Sequence, residues 1–231
     1  MSRPLLLLPT YNESQNLPGF IPEVLAAFPA DILIIDDNSP DGTGRIADEL
    51  ARQNSRISVM HRPKKSGLGS AYVAGFRWAL ERSYDAVFQM DSDFSHDPKD
   101  LPRLAEALSG CDMALGSRYV KGGRILDWPW PRLAISALGN YYARAVLRIG
   151  VKDLTGGFKA FKREALQALD LDRIFSDGYA FQIETTYRTV RKGFKVKEIP
   201  IVFRDRTLGE SKISRRVVWE ALGLVWKLLL L

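Results

Sequence analysis

The sequence is poor in metal-binding and cross-linking side chains, with one cysteine, Cys111, and two histidines, His61 and His96, in 231 residues. No intrachain disulfide can form, and a Cys/His zinc site has too few ligands. A lone thiol fits a reducing, cytosolic setting. Long apolar runs are missing as well: nothing before the C-terminus reaches the roughly 18–20 residues of a bilayer-spanning helix. Leu5 to Leu8 are followed at once by Pro9 and polar residues, so the run is too short for a secretory leader and reads as a buried strand. Repeats and low-complexity linkers are absent, and the length suits one domain with a sizeable core. An apolar fraction of 46% and a charged fraction of 26% exclude wholesale disorder.

The net charge of +6 conceals an asymmetry. Residues 1–110 carry 11 basic and 15 acidic side chains, whereas residues 111–231 carry 22 and 12. An acidic front half suits a cation, and a basic rear half suits phosphate groups or an anionic surface. The basic residues are scattered among aliphatic segments rather than gathered on one helix or an aromatic sheet, which argues against nucleic acid.

Short aliphatic runs at 4–8, 31–36, 57–61, 85–90 and 113–116 alternate with helical patterns near 15–28, 43–54, 68–83 and 99–109. This alternation predicts an α/β fold with a mostly parallel sheet, whose ligand site lies at the carboxyl ends of the strands. Three of those ends are unusually polar: 9–13 (PTYNE), 36–43 (DDNSPDGT) and 91–98 (DSDFSHDP). Further on, the pattern predicts helices near 132–149 and 180–192 and strands near 157–161 and 194–203. The tail from Arg215 is apolar with Trp219 and Trp226, interrupted mainly by Glu220 and Lys227. It fits an amphipathic helix at a membrane interface, with a C-terminal helix packed on the core as the alternative.

Asp91 and Asp93, two residues apart at a strand end, point the same way and suit one hard cation, Mg²⁺ or Mn²⁺, shared with substrate phosphates. An isolated Asp-x-Asp is more often a solvated turn; the preceding strand and the two other polar strand ends favour the site. Asp36 and Asp37 suit a nucleoside's hydroxyls or base edge, or a turn and helix cap around Asp41-Gly42-Thr43. Gly67-Leu68-Gly69-Ser70 suits a phosphate at a helix N-terminus, or a plain helix start. Arg118, Arg132, Arg206 and Lys212 sit in turn-like sequence, where guanidinium forks match phosphate oxygens and where solvated surface charge is the commoner use. His96 reads as shaping the Asp91–Asp93 loop, His61 as a strand-end residue and Cys111 as a small buried side chain.

Taken in order, PTYNE, DDNSPDGT, DSDFSHDP, 116–123 (GSRYVKGG), 153–159 (DLTGGFK), 178–184 (GYAFQIE) and 198–212 (EIPIVFRDRTLGESK) resemble the dolichol-phosphate (polyprenol-phosphate) mannose synthases, inverting family 2 glycosyltransferases of the GT-A fold. The resemblance runs from residue 4 to about 213. It implies a GT-A domain over 1–213, a membrane-associating helix over 214–231, and transfer of mannose from GDP-mannose to a polyprenyl or dolichyl phosphate. By the family pattern Pro9, Tyr11, Glu13, Ile35 and Asp37 hold the nucleotide, and Asp91, Ser92 and Asp93 meet the diphosphate and the metal. Arg206 and Lys212 close over the donor phosphates, with Gly209 as a hinge, while Arg118, Arg132 and Ser136 bind the acceptor phosphate. Ser92 stands where relatives often have Ala, and Ser95 where some carry a metal-ligating Gln. The implied place is the cytoplasmic face of a membrane, bound peripherally, with or without a separate anchoring subunit. Three rival readings remain at this point: a UDP-glucose or related donor, a non-catalytic nucleotide-binding subunit that recruits a membrane partner, and a membrane adaptor driven by the basic half and the tail.

Overall fold

A computed structural model describes residues 3–205, 223 and 225–230. The first half is a run of strand–helix units: β1 (Pro4–Thr10), α1 (Leu17–Ala27), β2 (Asp31–Asp36), α2 (Thr43–Gln53), β3 (Ile57–His61), α3 (Leu68–Leu80), β4 (Ala86–Gln89), α4 (Leu101–Ala107) and β5 (Met113–Ser117). The second half holds β6 (Arg124–Ile125), α5 (Trp130–Leu147), β7 (Lys159–Lys162), α6 (Arg163–Gln167), α7 (Gly178–Arg191), β8 (Val196–Pro200) and β9 (Val202–Phe203).

Seven strands form one sheet in the order β3-β2-β1-β4-β7-β5-β8, and β6 pairs with β9 in a separate two-stranded ribbon. All neighbours in the large sheet are parallel except β7, which runs against both β4 and β5. The aliphatic runs follow from burial on both faces. Leu5, Leu7, Leu33 and Ile35 face α3 through Tyr72 and Phe76, whereas Leu6, Leu8, Ile32 and Ile34 face α1 through Phe20, Ile21 and Val24. Each of these side chains is fully buried, a stabilisation of about 1.5–3 kcal/mol apiece.

The expected strand at 194–203 divides in two. β8 follows β5 as far as Pro200↔Ser117, where β5 ends. With no partner left in the large sheet, the chain buries Ile201 and pairs Val202 and Phe203 with β6. Neither β6 nor α6 was legible as an element. In the tail, residues 225–229 are helical; Val225 and Leu228 are buried in the core while Trp226 and Leu230 are exposed. Of the expectations for 206–222, including Arg206, Lys212 and Gly209, all lie outside the described residues.

β7 brings a lysine into the middle of the sheet. Lys159 is fully buried, its Nζ donating to the Gln182 carbonyl at 2.8 Å and the Thr185 hydroxyl at 3.1 Å. Burial pushes its pKa well below the usual lysine value, against a smaller opposing pull from Asp153. The unfolded chain therefore holds a proton that the folded chain gives up, and stability rises with pH between the depressed value and the ordinary one. Unfolding free energies from urea titrations at pH 7.5 and 9.5 should rise for the wild type relative to Lys159→Met, by up to ~1.4 kcal/mol per pH unit.

Candidate active site

The carboxyl ends of β1, β2 and β4 meet at one edge, and each chain end turns through a left-handed residue: Asn12 (φ 60°), Asn38 (φ 57°) and Phe94 (φ 60°). Asparagine tolerates this region; phenylalanine does so at a cost of about 1–3 kcal/mol. Phe94 is held there by an edge-on contact with Phe20, ring centroids 5.1 Å apart. Because β7 is antiparallel, its beginning arrives at the same edge, with Lys159 opposite Gln89 and Leu115. Two cavities share that edge.

The larger, about 360 Å³, lies over the ends of β1 and β2 and is lined by Pro9, Tyr11, Glu13, Asp37, Asp91, Ser92 and Asp93. These are seven of the residues the sequence marks for the nucleotide and metal. Asp37 accepts from Arg62 Nη1 at 2.6 Å and from the Ser66 amide at 3.2 Å, which fixes the loop after β3 as one wall. Lys65 on that loop sits 3.8 Å above the Tyr11 ring. Asp36 is buried and turned away, accepting from Ser39 and Thr10. Asp41 also serves the turn, accepting from Thr43 and Ser14; burial works to raise its pKa, but these bonds outweigh it and hold the carboxyl at about 2.

Two expectations change here. The Ile35 side chain lies in the core beneath α3, beside Gly75, and does not line the cleft. Gly67–Ser70 is a helix start whose phosphate-seeking end is already filled, since the Gly69 amide donates to Asp177 Oδ1 at 2.5 Å. Gly67 is required there: its φ is +96°, and a Cβ would fall 1.9 Å from Asp177 Oδ2.

The smaller cavity, about 50 Å³, shares Asp91, Asp93 and Gly157 with the first and opens toward Arg118, Arg132 and Trp128. Arg118 is buried and bidentate to Asp153, Nε to Oδ2 at 2.8 Å and Nη2 to Oδ1 at 2.7 Å, with Nη2 also reaching Thr155. Burial alone would lower its pKa, but the Asp153 carboxylate more than reverses this, so it is a fixed cation. Arg132 lies flat on Trp128, 3.9 Å from the ring centroid, and bonds Asp205 at 2.8 Å. Ser136 is one turn beyond Arg132 on α5 but is not among the residues lining the cavity; it accepts from Tyr119 at 2.7 Å. Among the described residues, Ser95 Oγ, His96 Nδ1, Trp128 Nε1 and Arg132 Nε are buried without a hydrogen-bond partner, and all four residues line this cavity. That concentration marks a place prepared for a polar ligand.

His96 packs against Phe158 at a tilt and edge-on against Phe203, with Nδ1 4.0 Å from Asp91 Oδ2. Burial pushes its pKa down to about 4 despite the nearby Asp93 carboxylate, so the ring is neutral at physiological pH. Among the described residues no group of three or more His, Cys, Asp or Glu side chains is arranged around a metal position. Two carboxylates, with the partnerless Ser95 hydroxyl beside Asp93, nevertheless form an all-oxygen set that fits a hard divalent cation completed by phosphate and water. The sequence motifs contained Thr155, Tyr179 and Gln182, and Asp177 stands just ahead of one of them, but nothing local assigned these residues to the cavities; only the fold brings them to the edge.

A sheet edge with paired carboxylates between a nucleotide-sized cleft and a cationic cavity is that of a nucleotide-sugar transferase, and comparison with known proteins agrees. The family described as glycosyl transferase family 2 matches residues 6–170. A polyprenol monophosphomannose synthase of Mycolicibacterium smegmatis is 49% identical over 223 residues, 95% of this chain and 84% of that protein. An undecaprenyl-phosphate mannosyltransferase of Micrococcus luteus is 48% identical over 220 residues, 95% of this chain and 90% of that protein. The chain belongs to glycosyl transferase family 2. Solved structures share the fold at low identity: a glucosyl-3-phosphoglycerate synthase of Mycobacterium tuberculosis with Mn²⁺ and UDP (TM-score 0.69, 20% identity, 99% of this chain and 78% of that one), and a mannosyltransferase of Pyrobaculum calidifontis with GDP-Man and Mn²⁺ (TM-score 0.61, 15% identity, 99% and 74%). The GT-A expectation is met.

Asp153 has no exposure, so removing it strands the Arg118 cation. Asp153→Ala should lose about 3–5 kcal/mol in urea unfolding, whereas the paired replacement Arg118→Met with Asp153→Leu should lose much less.

Proposed function

We propose that the protein transfers mannose from GDP-mannose to a polyprenyl phosphate with inversion, yielding a β-linked polyprenyl mannosyl phosphate and GDP. The observation that carries this reading is the meeting of two chemically different cavities at Asp91 and Asp93, acidic on the nucleotide side and guanidinium-lined on the other. Inversion needs nucleophile and leaving group on opposite sides of the anomeric carbon, and two cavities flanking one junction suit that geometry. The relatives at 48–49% identity carry names with the same sugar and acceptor class.

In this reading Pro9, Tyr11, Glu13 and Asp37 hold the nucleoside, and Asp91, Ser92 and Asp93 face the diphosphate. Mg²⁺ or Mn²⁺ at the two aspartates supplies Lewis-acid neutralisation of the departing diphosphate. Arg206 and Lys212 are assigned to the donor phosphates by resemblance. Arg118 and Arg132 bind and aim the acceptor phosphate, with Ser136 behind them on α5. The nucleophile is already an oxyanion, so no strong base is required, in keeping with a His96 whose pKa burial lowers to about 4, which makes it a weak base.

The same helix supports a lipid acceptor. α5 carries Arg132 toward the cavity, while Trp130 (78%), Leu138 (67%) and Tyr141 (69%) are exposed. No helix among the described residues is long and apolar enough to cross a membrane. We place the enzyme on the cytoplasmic face of a membrane, held peripherally by α5 and the apolar segment 214–231, with 1–213 as the catalytic domain.

Incubation with polyprenyl phosphate and a panel of GDP- and UDP-sugars, with and without EDTA, should yield a mannosyl lipid from GDP-mannose only when metal is present. A glucosyl lipid from UDP-glucose in its place overturns the donor assignment. Asp93→Ala should lower kcat/KM on the order of 10²–10³-fold. Arg132→Ala should raise KM for the polyprenyl phosphate roughly tenfold or more while KM for GDP-mannose stays nearly constant.

A further inference from the structure

At the junction of the two cavities the floor is Gly157, the last residue but one before β7. A methyl group placed on it would lie 3.5 Å from Gln182 Nε2 and 3.7 and 3.9 Å from the two Asp91 carboxylate oxygens. These are ordinary contacts, and Gly157 has no positive φ. The protein itself therefore has room for alanine here. Gly156 differs, because its Cβ would meet the Gly116 carbonyl at 3.2 Å. The space above Gly157 is left open by the chain rather than used for its own packing.

Gln182 faces that space with a defined atom. Gln89 Nε2 donates to the Gly157 carbonyl at 3.2 Å, which fixes it as the amide nitrogen, and to Gln182 Oε1 at 2.9 Å, which fixes the other amide in turn. What Gln182 turns toward Gly157 is thus its N–H donor. Nε2 is buried and has no hydrogen-bond partner among the described residues, and the side chain is 2% exposed. A buried amide donor left unsatisfied costs free energy unless a ligand completes it. Its neighbour across the open space is a carboxylate. Donor on one side and acceptor on the other is the pairing a hydroxyl group satisfies.

We propose that Gln182 Nε2, with Asp91 opposite and Gly157 beneath, is the subsite for a hydroxyl of the transferred hexose. The assignment rests on the glycosyl-transfer reading and goes further, because it names the residues that recognise the sugar as distinct from the nucleotide. Gln182 donates to the hydroxyl oxygen and Asp91 accepts the hydroxyl proton. The bare Gly157 lets the ring approach the backbone. Bare GDP, which meets Asp91 through its diphosphate, leaves Gln182 Nε2 without a partner.

The test uses the full chain and two variants that leave the Gln89 contacts in place. Gly157→Ala fills the open space, and Gln182→Glu keeps the oxygen that Gln89 binds while replacing the donor by an acceptor. Calorimetric titration with GDP and with GDP-mannose, followed by steady-state transfer, should show GDP affinity within about twofold of wild type in both variants, which also certifies folding. GDP-mannose should lose its affinity advantage over GDP, and kcat/KM for transfer should fall about ten- to a hundredfold. Transfer within twofold of wild type in both variants, or an equal loss for GDP and GDP-mannose, overturns the subsite. A wild-type chain that binds GDP-mannose yet leaves polyprenyl phosphate unmodified sinks the acceptor reading alone, since the sugar-dependent binding difference still decides the role of Gln182.

Discussion

The buried pair between Arg118 and Asp153 holds the active edge together. Asp153 takes three donors from Arg118, the backbone amide at 2.9 Å as well as Nε and Nη2. Its own amide donates to Glu198 on β8, which also takes the Ser117 hydroxyl at 2.7 Å. Thr155 bonds both Arg118 and Asn140 of α5, and the Asn140 carbonyl oxygen accepts from the Leu154 amide at 2.7 Å. One charged pair thereby ties the end of β5, the loop into β7, β8 and α5 into a single wall. Charges this deep are costly unless fully paired, and here the pairing fixes the loop that carries Gly157.

Much of this was legible because it is local. A strand buried on both faces must be continuously aliphatic, and polar residues directly after it stand at the ligand edge; that logic found the ends of β1, β2 and β4 and with them most of the larger cleft. What stayed hidden is long-range. Gly67–Ser70 looks open to an anion in sequence, and only the fold shows Asp177, over a hundred residues later, capping it. Ile35 belongs to the polar strand end by position, but it lies within β2 on the face packed against α3, whereas Asp37 follows the last strand residue and reaches the cleft. The turn at Ile201 depends on where β5 runs out, which no pattern within 194–203 records.

The charge asymmetry of the sequence also acquires a place. Acidic side chains of the first half gather at Asp37, Asp91 and Asp93, and cationic ones of the second at Arg118 and Arg132. The two halves face each other across the junction instead of forming separate regions. Under the proposed reading, an acceptor phosphate on the arginine side and a metal-bound diphosphate on the aspartate side would meet opposite fields over a short distance.

The inverted strand has a further consequence for how the molecule is assembled. β4 and β5 are not paired with each other; β7 lies between them. A chain ending at Ser117 would hold Glu13, Asp37, Asp91 and Asp93 of the cleft, yet its sheet would lack the segment 159–162 that lies between β4 and β5. The strand that carries the cleft floor into position thus also joins the two parts of the sheet, so one short segment completes both the fold and the site.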